Sequence, residues 1–275
     1  MNINHSWNPA TLMQGPLFLP LTPILAQLDT ADFPNISEFN AQLALKPINV
    51  KLGPSLKFVP QESGPLRFES QYEPRCYLTG EVQTRTHNWH DLFNALVWLT
   101  FPKAKAAINK RHFMALSSAS EPEGSQRGKV RDMATLLDES GVIVVSANPE
   151  LADKLKAFQW KDLFWQNRLQ TQSAMGFFIF GHGLYEKCLQ PYLGMTGQGL
   201  VLNVSADFFN WSLSKQLNFV DERIAEYVDN PAHCQNTREL HPVPLLGVPG
   251  WSTENNCAEY YDNATYFRAG RRNSK

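Results

Sequence analysis

The chain reads as an α+β domain: a small mixed sheet with surrounding helices, a proline-rich N-terminal arm and an extended C-terminal tail. Three observations predict this. Between Asn88 and Asp229 the sequence alternates helix-period stretches with short apolar runs of strand length, VIVV, FFIF and GLVLNVS. Prolines crowd residues 1–75, where few periodic runs are sustained. The last stretch, from HPVPLLGVPGW to YYDNATYFRAGRR, is broken by proline and glycine yet rich in aromatics, a composition that favours packing over disorder. The expected division is an arm over residues 1–75, packed on a single domain over residues 76–275 that includes the tail.

In the arm, PNISEFNAQLAL predicts a helix with Ser37 as its cap and a face of Phe39, Leu43 and Leu45. Asn88 suits the cap of a helix over 89–100, which restarts at Pro102, because proline is tolerated in a first turn but breaks an interior. Residues 118–129, SASEPEGSQRGK, read as a polar loop. In RDMATLLDESGVIVVSA two apolar runs flank Asp-Glu-Ser-Gly, predicting a hairpin turn with its glycine in the left-handed region. Residues 149–170 read as helical with a bend near Gln159. MGFFIFGHGLYEKCLQP predicts strand, tight glycine turn, short helix and a stop at Pro191. GLVLNVS is a further strand, and Ala206 to Asp229 an amphipathic helix with Phe208, Trp211, Leu213, Leu217, Val220 and Ile224 inward.

With 275 residues, 43% of them hydrophobic, the chain can bury a full core. A formal net charge of -1 provides no field that steers toward nucleic acid or an anionic membrane. The basic runs KAKAAINKRH and RAGRRNSK lack the interleaved aromatics of a single-strand platform. Cys76, Cys188, Cys234 and Cys257 form no CxxC pair, which excludes a zinc finger and fits reduced thiols. The start, MNINHSWNPATLMQGPLFLPLTPIL, has neither the charged beginning nor the unbroken apolar stretch of a secretory signal, and no apolar run is long enough to span a bilayer. A soluble, cytoplasmic protein without membrane contact is expected.

Two stretches carry the candidate site. In NWHDLFNALVWL, Asp91 occupies the third helical position, where an acid bonds back to the cap. His90 and Asn94 stand four apart, hence on one face, and Asn94 sits among apolar residues where an amide needs a partner. In GFFIFGHGLYEK, His182 follows a strand and opens a helix, with Gly181 and Gly183 allowing close approach and Glu186 one turn on. His90, Asp91, His182 and Glu186 are therefore the candidate catalytic residues and the candidate ligands of a divalent metal, for which histidine plus carboxylate suits zinc, iron or manganese. Arg127 and Arg131 can fork onto a small anionic ligand, with Asn94 orienting it. Asp138 and Glu139 are accounted for by the hairpin turn. The chain has no GxxxxGK[ST] phosphate loop, no GxSxG elbow and no HExxH. His90-Asp91 matches the doublet of HD-type phosphohydrolases, but only His87 and His5 lie upstream, so that likeness is set aside.

NWHDLFNALVWLTFPKAKAAIN, RGKVRDMATLLDESG, FQWKDLFWQ, FGHGLYEK, PLLGVPGW, YYDN and FR follow one another over roughly residues 70 to 270. In that order they resemble a bacterial family of domains of unknown function, number 3025 in its series. The resemblance leads one to expect alanine where Gly183 stands, a change without expected consequence. The resemblance implies an intracellular bacterial protein and supplies no reaction.

Two functional readings follow. One is a metal-assisted hydrolase acting on an anionic, phosphorylated small molecule or nucleotide, with the histidines and carboxylates as ligands or general acid and base. The other is a non-enzymatic binding or regulatory protein in which the same residues form a structural polar network.

Overall fold

Prolines start helices in the arm rather than forbidding them. The computed structural model describes residues 7–28, 30–48, 55–64, 67–117 and 126–270. Pro9 takes the first position of α1 (Pro9–Gln14) behind an Asn8 cap, and Pro23 lies in the first turn of α2 (Thr22–Leu25), with a 3-10 turn, Pro16–Leu21, between them. α3 (Ile36–Leu45) is capped by Asn35 rather than by Ser37. Asn35 Oδ1 accepts the N–H of Ser37 and Glu38, and Glu38 reaches back to the Asn35 N–H in a full capping box. β1 (Lys57–Pro60) then passes through α4 (Tyr72–Thr79) to β2 (Glu81–Thr84), which pairs with it in parallel.

The boundaries of α5 (Trp89–Thr100) and α6 (Pro102–Ser117) fall where Asn88 and Pro102 predict. α7 (Gln126–Ser140) leads straight into β3 (Gly141–Ser146). The expected Asp-Glu-Ser-Gly hairpin is thus absent: the acids end a helix, and Gly141 is not left-handed. Glycine is needed there for space, since an added Cβ would meet Leu137 O at 2.3 Å. Of the predicted polar loop, residues 118–125 lie outside the described residues, and helix has begun by Gln126. α8 (Pro149–Lys156) and α9 (Arg168–Ala174) flank a π turn, with the bend marked by Phe158 at φ 60°. β4 (Met175–Ile179), α10 (His182–Cys188) and β5 (Thr196–Asn203) follow as predicted. The long amphipathic helix is broken at Trp211, because Ser212 caps α11 (Leu213–Asp229) after a 3-10 turn. β6 (His241–Pro244) closes the sheet.

The larger sheet has the order β4-β3-β5-β6, with β3 antiparallel to β4 and parallel to β5, and β6 antiparallel to β5. β3 is buried along its whole length, which is why GVIVVS reads as a continuous apolar run rather than an alternating one. α5 is buried from Asp91 to Leu99 and occupies the centre of the helical layer. The arm seals it: Phe18 stacks on both Phe93 of α5 and Tyr185 of α10, each at 5.9 Å between ring centroids. One hydrophobic core runs from Leu12 to Phe267. Among the described residues, no helix is long and apolar enough to cross a membrane.

Asp221 of α11 holds the start of α6, accepting the N–H groups of Lys103 at 3.2 Å and Ala104 at 2.8 Å. Burial raises its carboxyl to about 6, against the pull of those N–H groups and of Lys103 and Lys46. A folded-state value above the unfolded one means that stability is fullest below about pH 4 and is lost as pH rises through 6. Between pH 4 and 7 the stability difference between wild type and Asp221→Asn should therefore move against the wild type by about 2–3 kcal/mol in urea titrations. A constant difference would put this ionisation in the ordinary carboxylate range.

A candidate metal centre where α5, α7 and α10 meet

The sheet register brings two distant segments together. β4 runs antiparallel to β3 with Ile179 opposite Val142, so the end of β4 lies beside the start of β3. α10 begins where β4 ends and α7 ends where β3 begins. His182 is thereby set against Asp138 and Glu139. The junction is tight: the N–H groups of Phe180 and Gly181 both donate to Gly141 O at 2.9 Å. A Cβ at Gly181 would stand 2.5 Å from the Gly141 and Ser140 nitrogens, so only glycine fits. α5 packs across α10 and brings in His90 from its first turn.

The two imidazoles face each other, Nε2 to Nε2, at 3.1 Å. Glu139 Oε1 lies 3.4 Å from His182 Nε2 and 3.8 Å from His90 Nε2. A circle through these three atoms has a radius of about 2.0 Å, the usual metal–nitrogen and metal–carboxylate distance. His90, Glu139 and His182 together are the kind of group that can hold a metal ion. Behind the histidines stand two more carboxylates: Glu186 Oε2 at 3.2 Å from His90 Nδ1, and Asp138 Oδ2 at 3.6 Å from His182 Nδ1. The hydrogen bond from His182, ahead of the opposing effect of burial, holds the Glu139 carboxyl below its ordinary value.

The sequence-predicted residues therefore take different posts. His90 and His182 meet as candidate ligands. Glu186 addresses the Nδ1 of His90, the ring atom facing away from the centre, so it orients that imidazole and is no fourth ligand. Asp91 does not bond back to its cap. It accepts from the Arg85 N–H at 2.6 Å and, bidentately, from the Arg85 guanidinium at 3.0 and 2.7 Å. Asn88 still caps α5 by accepting the Asp91 N–H. Arg131 is exposed and stands apart from the cavity described below, and the side chain of Arg127 lies outside the described residues. Asn94 is met by Tyr72 of α4, to whose Oη it donates at 2.7 Å.

A cavity of about 340 Å³ opens beside the centre. His90, His182, Asp138 and Glu139 line one side, with Tyr72, Glu73, Gln83, Arg85 and Asn94 among the rest. Glu73 accepts from Asn109, and Asp138 is paired with the buried Lys105 at 2.5 Å. Burial raises the carboxyl of Glu73, partly offset by His112, and raises the phenol of Tyr72 well above its ordinary value. Burial also pushes Asp138 up, but Lys105 and His182 outweigh it and leave the carboxyl below the usual range. Tyr72, Glu73, Lys105, Asp138 and Glu139 escape the sequence reading. The one local cue was the adjacent pair Asp138-Glu139, which turn chemistry explained away.

The family described as a protein of unknown function, DUF3025, matches residues 56–271. The chain belongs to this family. No curated protein and no solved structure matches it. The DUF3025 match holds every residue of the centre and of the cavity, whereas α1 to α3 lie ahead of it, and Phe18 in the turn between α1 and α2 packs against it. Gly183 leaves room for the Glu139 side chain: a Cβ there would stand 2.3 Å from Glu139 Oε2 and would move that carboxylate.

Proposed function

We propose that this protein is a metal-dependent hydrolase in which His90, His182 and Glu139 hold one divalent ion. The observation that carries the reading is three donor atoms around one point at bonding distance, each histidine backed by a carboxylate at its other nitrogen. Proton bookkeeping supports it. With His90 Nδ1–H donating to Glu186, its Nε2 is a bare acceptor, so without a metal a neutral His182 must donate from Nε2. That leaves His182 Nδ1 bare against the Asp138 carboxylate, and this buried nitrogen has no hydrogen-bond partner. Were both Nε2 atoms to ligate a metal, each imidazole would carry its proton on Nδ1, facing Glu186 and Asp138.

Two histidines and one carboxylate with open positions suit water activation by zinc, and iron or manganese share the donor set. Glu73, held toward its neutral form by burial on the cavity wall, is the candidate to carry a proton during hydrolysis. The competing reading is a structural network, favoured by the hydrogen bond between His182 and Glu139: an imidazolium at His182 would satisfy both acids. Metal analysis of protein purified without chelator, with a chromogenic ester and amide panel assayed before and after chelation, separates them. The expected result is about one ion per chain, chelator-sensitive turnover, and loss of both in His182→Ala. Absence of metal together with failure to take up added zinc, iron or manganese would leave the structural network standing.

A further inference from the structure

We propose that Tyr72 and Asn94 form a subsite for a neutral amide group, a carboxamide, lactam or ureide edge, in the cavity beside the metal centre. It deepens the hydrolase reading and rests on it for the purpose of the site, though not for binding at the pair itself.

Asn94 is 7% exposed and lines the cavity, and its Oδ1 is buried without a partner while Nδ2 donates to Tyr72 Oη. A buried amide with an empty carbonyl calls for a ligand or water. The two ends of an asparagine amide are assigned from the hydrogen-bond network, yet the conclusion does not depend on that choice. As placed, the pair leaves the Asn94 carbonyl as a buried, unused acceptor and the Tyr72 hydroxyl proton as an unused donor at the cavity wall. With the amide turned over, Tyr72 donates to Asn94 and the pair offers the phenol oxygen as acceptor and the amide N–H as donor. Either way one donor and one acceptor stand side by side.

An amide presents the complementary couple, C=O beside N–H. A carboxylate or a phosphodiester brings acceptors alone, and an ammonium brings donors alone. Charge points the same way. Glu73, Asp91, Asp138 and Glu139 line the cavity, and its guanidinium, Arg85, is committed to Asp91. An anion would meet the charge of these acids. Burial draws Glu73 toward its neutral form, which weakens the hold on a cation. Asn94 stands one helical turn from His90 on the same face of α5, and both line the cavity, so the pair and the candidate metal ligand share one wall. The cavity, about 340 Å³, suits a small molecule.

The test uses the full-length, 15N-labelled protein, with zinc and after chelation, titrated with N-methylacetamide, acetate or inorganic phosphate. The readout is the side-chain amide pair of Asn94. N-methylacetamide should shift it along a saturable curve in the chelated protein, whereas acetate and phosphate should not. Tyr72→Phe should weaken that affinity about tenfold, the loss of roughly one hydrogen bond, and Asn94→Leu should abolish the interaction seen at neighbouring backbone amides. If Asn94→Leu does not fold, Tyr72→Phe carries the comparison. Saturable amide binding in a protein that takes no zinc would uphold the subsite and remove the metal reading. Zinc uptake without an amide shift, or unchanged affinity in Tyr72→Phe, would overturn the subsite and leave water on the pair.

Discussion

A Glu139→Gln variant is expected to lose metal almost completely while keeping its fold. The carboxylate supplies the one formal negative charge among the three candidate ligands, and its amide replacement keeps the shape but not the charge or the basicity. Loss of a carboxylate standing behind a ligating histidine weakens metal binding by about 10- to 100-fold. Glu186→Gln should fall in that range, and Glu139→Gln should exceed it. The Glu139 side chain is 41% exposed, so its pairing with His182 contributes little to stability and the melting temperature should stay close to that of the wild type. Competition titrations with a zinc indicator, run beside thermal melts, resolve the two roles. A variant that melts markedly earlier but binds metal as before would make Glu139 a structural partner of an imidazolium.

The legible part of this site was local and the illegible part was long-range. His90 and His182 stood out because a histidine at the start of a helix, beside a cap or between glycines, breaks an otherwise apolar pattern. The Asn88 cap and Pro102 gave the ends of α5 and α6 for the same reason: each is set by chemistry within a few residues. Glu139 was lost because Asp-Glu-Ser-Gly before an apolar run has the composition of a turn. What makes it the end of a helix is β3, which starts without a linker and is aligned by β4 and β5. No window around residue 139 contains that register. Tyr72 was hidden likewise: it reaches Asn94 only because β1, α4 and β2 fold over the first turns of α5. Asp91, by contrast, was misread at short range, since Arg85 offers a charged fork stronger than the backbone N–H of the cap.

Removing the chain from Leu240 onward should collapse the fold, because the tail is a sheet strand followed by a packed cover. β6 pairs with β5 from Thr196 opposite Pro244 to Gly199 opposite His241, and Leu245 N–H extends the contact to Met195 O at 3.1 Å. The irregular stretch that follows is tied down by its own polar groups. Asn255, fully buried, donates to Leu246 O at 2.9 Å and Val248 O at 2.7 Å and receives Arg168 from α9. Tyr266 donates to Met195 O at 2.8 Å, and Trp160 donates to Arg268 O at 2.8 Å. Val243, Leu245, Val248, Tyr261, Tyr266 and Phe267 are all buried. At roughly 1.5–3 kcal/mol for each side chain, their combined burial is on the order of 10 kcal/mol, comparable to the whole net stability of a domain. Truncation would also bare β5 as an unprotected edge. The shortened protein should therefore aggregate, or keep far-UV circular dichroism while losing the near-UV signal and binding ANS. A soluble product with a single cooperative melt would show that β5 and α9 close the core without the tail.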